Sequence, residues 1–108
     1  MRLIVSIMFL GFLASTAAEA WADEGREVFT KLNCAMCHKP DKKTAAVSLK
    51  EIARAYSDEG KLVSFFKGEL KPLIESDNWG MMRSQLDKIK ALPDEDKKAL
   101  ADYILSFK

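Results

Sequence analysis

The 108-residue chain predicts an all-α domain of four to five helices. Three observations predict it. Leu100, Tyr103, Ile104 and Phe107 recur at helical spacing behind Pro93. Ser48-Leu-Lys-Glu51 has the form of a capping box, in which the Ser48 hydroxyl accepts from the N–H of Glu51. No stretch alternates convincingly as a strand does.

The segment 1–22 stands outside that domain. A basic start at Arg2, an apolar run from Leu3 to Leu13 and small residues ending in Ala20-Trp21-Ala22 make the pattern of a secretory signal peptide. Cleavage is expected after Ala22, with Ala20 as the neighbouring choice. The apolar run is short for a span of about 20 residues, so stable membrane insertion is not expected after cleavage. Residues 23–108 then form one domain, too small to bury a large core unaided. Removing 1–22 takes one Arg and one Glu from totals of 17 basic and 16 acidic residues, so the mature chain is near neutral. That balance argues against a nucleic-acid partner.

The first helix is expected over Gly25–Asn33, with Val28 and Leu32 on one face. A second follows Ser48 and buries Leu49, Ile52, Ala53 and Tyr56. Gly60 reads as punctuation before a third, Lys61–Lys67, which stops at Gly68. Pro72, Asp77-Asn78 and Gly80 predict irregular chain over 71–80. A fourth helix is expected over Met82–Ala91 and a fifth from Pro93, whose first turn carries Asp94, Glu95 and Asp96 at the end where anions are favoured.

Between the first and second helices lies Cys34-Ala-Met-Cys37-His38, a C-x-x-C-H run. This spacing attaches a c-type haem. Each thiol adds to one vinyl group of the same porphyrin, and the adjacent imidazole is held where it can ligate the iron. A redox dithiol would want a βαβ setting, and structural zinc would want four ligands. The chain has two Cys and one His, all within the run. Export agrees with covalent attachment on the far side of the bacterial inner membrane. With bis-His ligation unavailable, the sixth ligand is expected to be a methionine thioether. Met36 lies inside the motif and cannot reach the opposite face of the ring, which leaves Met81 or Met82.

These residues resemble the small bacterial class I cytochromes c along the whole mature segment. Gly25-Arg-Glu-Val-Phe29 through His38 is similar to their first helix and haem box, and Ser48–Ala53 to the helix after the proximal loop. Phe65-Phe-Lys-Gly68 with Pro72 resembles the segment before the ligand loop. Met82-Arg-Ser-Gln85 and Ala99–Ile104 resemble the distal ligand and terminal helix. The resemblance implies a class I cytochrome c fold around one covalent haem c. It assigns the thioethers to Cys34 and Cys37, and the iron to His38 and Met82. It also implies that Gly25 and Phe29 pack on Tyr103 where the first and last helices cross. Trp79 resembles aromatics that lie near a haem propionate, although packing is the use expected of it here. Two departures stand out. Ala46-Val47 replaces a frequent Gly-Pro whose carbonyl holds the proximal imidazole, so the Val47 carbonyl is expected to accept from His38 in a less rigid loop, and Pro93 replaces a Ser or Thr cap. The expected function is that of a soluble, monomeric periplasmic one-electron carrier, without catalytic residues. Its partners would be a membrane electron-transfer complex or a periplasmic oxidoreductase. The alternative is a haem-based gas sensor or peroxidase-like enzyme with a labile sixth ligand.

Overall fold

A computed structural model describes residues 23–74 and 79–108. Residues 1–22, where a leader is expected, and 75–78, which include the expected breakers Asp77-Asn78, lie outside the described residues. Helix α1 is described over 23–31, and a 3-10 turn spans Cys34–Met36. Helices α2 (Leu49–Tyr56), α3 (Glu59–Phe66), α4 (Trp79–Lys90) and α5 (Asp94–Leu105) follow. Among the described residues there is no strand, so the all-α expectation holds.

The caps explain where the helices begin. Ser48 Oγ accepts from the Glu51 N–H at 3.1 Å, the predicted start of α2. Helix α3 starts two residues before the expected position. The Asp58 carboxylate accepts from the Lys61 N–H at 2.8 Å, and this cap places Gly60 inside the first turn rather than before it. Its end is as expected. Gly68 takes a left-handed φ of 80°, and the Glu69 N–H reaches back to the Ser64 carbonyl at 2.9 Å. That six-to-one bond closes the helix with the geometry only glycine adopts without strain. Helix α4 also starts early, at Trp79, and takes Gly80 into its first turn. A lone glycine near a helix end is a weak breaker. Pro93 precedes α5 without a side-chain cap, while Lys97 is buried and donates from Nζ to the Leu92 carbonyl at 2.9 Å, tying the turn to the helix.

The core joins α1, α2, α3 and α5, with Ile89 added from α4. Leu49, Leu62 and Leu100 are its most deeply buried large side chains. Phe29 packs on Tyr103 with ring centroids 5.3 Å apart, and Tyr103 meets Phe107 edge-on at 5.2 Å. Gly25 permits that crossing: a Cβ there would strike the Ala99 carbonyl oxygen and come within 2.7 Å of Tyr103 Cβ. Helix α1 is thereby pressed onto α5, and this crossing fixes the base from which the Cys34–His38 segment departs.

Candidate haem site

After α1 the backbone turns at Asn33, which has a left-handed φ of 58°. Asparagine accepts this conformation more readily than most residues. The Met36 and Cys37 N–H groups then donate to the Asn33 and Cys34 carbonyls, both at 3.2 Å, and the His38 N–H donates to Cys34 at 2.9 Å. In a 3-10 turn side chains three apart nearly eclipse. Cys34 and Cys37 therefore emerge on one side, both as free, half-buried thiols. Burial pushes the Cys34 thiol up to about 11, helped by the nearby charge of Cys37 when ionised. Before haem is attached, Cys34 therefore keeps its proton at neutral pH.

The orientation of His38 is fixed by the chain itself. Its Nδ1 lies 2.8 Å from the Val47 carbonyl. A carbonyl only accepts, so Nδ1 carries the proton and the Nε2 lone pair is left available to a metal. Such a bond sets both tautomer and ring angle for a metal-ligating imidazole. The loop bearing Val47 lacks the frequent Gly-Pro, yet it is stitched from several sides. Thr44 Oγ1 donates to the Cys37 carbonyl at 2.7 Å, and the Thr44 N–H to Ala46 at 3.1 Å. The Leu49 and Lys50 N–H groups donate to Lys39 and Pro40, at 2.9 and 3.0 Å. These bonds supply the constraint that a proline ring would otherwise give.

The thiols and His38 line one cavity, together with residues from all five α-helices. Helix α1 contributes Phe29, α2 Leu49, Ile52 and Tyr56, and α3 Leu62, Phe65 and Phe66. Leu100 and Ile104 of α5 close its floor. Helix α4 adds Trp79, Met81, Met82, Gln85 and Ile89. The space unfilled by protein atoms is about 1250 Å³, its open mouth included. Walls so nearly apolar suit a flat hydrophobic macrocycle. Tyr56 Oη accepts from the Leu73 N–H at 3.2 Å, tying the 71–74 strap to α2, and burial raises its phenol above the usual range. Trp79 lies 6.4 Å from Phe65, ring to ring.

Both candidate methionines reach this cavity from α4, Met82 on the helix expected there and Met81 on its earlier first turn. They differ in burial. Met82 is half-buried and packed on the core, whereas Met81 is 68% exposed. Sequence reasoning gave no role to Gln85. Its Oε1 is fully buried, lines the same cavity and has no hydrogen-bond partner. An orphaned polar atom in an apolar wall is what a missing polar or metal-bearing group leaves behind. With the paired thiols, the free imidazole nitrogen and the thioethers, the donor set fits a covalent haem.

Comparison with known proteins agrees with that donor set. A family model described as cytochrome c matches residues 22–108. The chain is also 31% identical over 102 residues to cytochrome c-552 of Nitrosomonas europaea, covering 93% of this chain and 96% of that protein. The chain belongs to the cytochrome c family, as a small class I c-type cytochrome whose cofactor is a covalently bound haem c.

Proposed function

We propose that the protein is a soluble, exported, periplasmic one-electron carrier with His38 and Met82 as axial ligands and thioether links at Cys34 and Cys37. The observation that carries this reading is the His38–Val47 bond, which leaves Nε2 as a ready donor inside an apolar cavity. Bound haem supplies the Fe(III)/Fe(II) couple. The chain does the rest. The Cys34 and Cys37 sulfurs anchor the group from one turn. The Val47 carbonyl keeps the imidazole in one tautomer and raises its basicity. Met82 offers a soft thioether that favours the reduced state. Phe29, Leu100 and Ile104 exclude water, so that charge is little solvated and the potential is raised.

Ligands on both faces leave no coordination position for a substrate, which supports a carrier over a sensor or peroxidase. Among the described residues the cavity wall carries no Arg, Lys or second imidazole to assist oxygen or peroxide chemistry. Partners are redox proteins, met at the exposed haem edge in brief, small contacts. Membrane complexes and periplasmic oxidoreductases are the two classes that suit an exported carrier. Among the described residues no helix is long and apolar enough to cross a membrane.

An absorption spectrum tests the reading. The oxidised protein should show the weak red band of methionine-to-iron charge transfer, and the reduced protein should not change on adding carbon monoxide. A high-spin spectrum that shifts with carbon monoxide would favour the sensor or peroxidase instead.

A further inference from the structure

The cavity wall is nearly apolar, yet a haem brings carboxylates as well as an iron. Among the described residues no Arg or Lys lines it, so an uncharged donor must meet a carboxylate inside. Apart from the thiols and His38, the wall's side-chain donors are Asn33, Tyr56, Trp79 and Gln85. On a haem the vinyl groups and the carboxylates leave opposite edges of the ring. Asn33 adjoins Cys34 and so belongs to the vinyl side. Gln85 follows the two methionines on α4. Tyr56 is placed differently. Its helix begins beside His38, where the Leu49 N–H donates to the Lys39 carbonyl at 2.9 Å. At about 1.5 Å per residue, α2 carries Tyr56 about 10 Å further along the wall. There its ring lies 5.1 Å from Phe65, itself 6.4 Å from Trp79, so both ring donors gather around one phenylalanine. The Tyr56 side chain is buried, and its oxygen accepts from the Leu73 N–H at 3.2 Å. Accepting leaves the O–H to donate, and the buried phenol keeps that proton at neutral pH.

We infer that the Tyr56 hydroxyl donates to a haem carboxylate, as a positioning residue that joins the cofactor to the 71–74 strap. This inference rests on the thioether links at Cys34 and Cys37, which turn the carboxylate edge away from their own turn. One phenol oxygen then holds two partners: it accepts from the strap and gives to the carboxylate. The bond has two consequences. It fixes the strap and the carboxylate edge to each other, so neither moves alone. It also favours the ionised carboxylate, which therefore titrates at lower pH than it would without the donor. An anion near the iron stabilises Fe(III), so the potential falls as pH rises through that titration. Among the described residues the other titratable groups on the wall are Cys34, Cys37 and His38, all committed to the haem, and no charged side chain of α3, α4 or α5 lines it.

The test uses the holoprotein. In the reduced wild-type protein, NMR should show a slowly exchanging Tyr56 hydroxyl proton with nuclear Overhauser contacts to the methylene protons of one haem carboxylate chain. Tyr56→Phe keeps the ring and removes the donor. In potentials measured against pH, this variant should move the carboxylate step up by about one pH unit. Absence of the contact in wild type, or a step that stays in place or moves down in Tyr56→Phe, would overturn the inference. A potential displaced equally at every pH would also overturn it, since that is the mark of a loosened strap without a lost donor. The same spectra separate the two levels. Contacts from the Cys34 and Cys37 β-protons to the former vinyl groups keep the attachment reading standing whatever Tyr56 does; without them the attachment reading itself falls.

Discussion

Replacing Gly25 with Ala adds one methyl group at the α1–α5 crossing. Elsewhere in a helix that change gains up to about 1 kcal/mol, because alanine loses less backbone freedom on folding. At Gly25 the new Cβ would strike the Ala99 carbonyl oxygen and lie 2.7 Å from Tyr103 Cβ and 2.9 Å from the Ala99 carbonyl carbon. Two of these atoms are backbone, so no side chain can swing away. The helices must separate, which also loosens the Phe29–Tyr103 contact. Overpacking of this kind costs about 1–3 kcal/mol. The net expectation is a loss of about 1 kcal/mol, or about 4–8 °C in Tm for a domain of this size. Gly80→Ala is the matched control. It also lies in a helix, and its Cβ would meet nothing within 4 Å, so a gain of about 0.5–1 kcal/mol is expected. Thermal melts of the two holoproteins, followed at the haem band and by far-UV circular dichroism, read both signs at once. A Gly25→Ala protein as stable as wild type would refute the close crossing.

Other consequences are also open to measurement. Asp102 of α5 is pushed up to about 6, first by burial and then by the hydrogen bond and charge of Glu59, with Lys98 opposing. A folded-state value above the unfolded one gives stability that is present in acid and lost as pH rises from about 4 through 6. Asp102→Asn should remove that loss, gaining about 1 kcal/mol at pH 7 once solvent screening of this partly exposed group is allowed for; melts at pH 4 and pH 7 that shift equally in both proteins would contradict it. Met82→Ala should abolish the red charge-transfer band while Met81→Ala retains it, and the reverse result would move the ligand to Met81. The haem-free chain should lack cooperative melting, because the cofactor fills the space on which all five helices converge; near-native circular dichroism without haem would count against this.

The sequence made the haem box legible because its chemistry is local: two thiols and an imidazole need only the spacing of one turn. Gly25, Phe29 and Tyr103 were legible for another reason, since their placement at a helix crossing followed from the family resemblance, and the structure puts them there. The starts of α3 and α4 were not legible. Gly60 and Gly80 carry the composition of breakers, and only the Asp58 carboxylate, bonded three residues ahead, shows that Gly60 belongs to a helix. The Val47 carbonyl is a backbone group that no residue type announces; the family resemblance placed it where it could accept from His38, and the structure shows that bond. Gln85 was missed because a polar residue on an amphipathic helix ordinarily faces water. Its signal was its position three residues after Met82, within the stripe that ends at Ile89.

Intact-mass measurement on the exported protein, before and after extraction with acidified acetone, tests the covalent attachment most directly. The account predicts the polypeptide from residue 23 onward plus one haem, unchanged by extraction and with neither Cys34 nor Cys37 open to alkylation. A bare polypeptide with both thiols alkylated would contradict it.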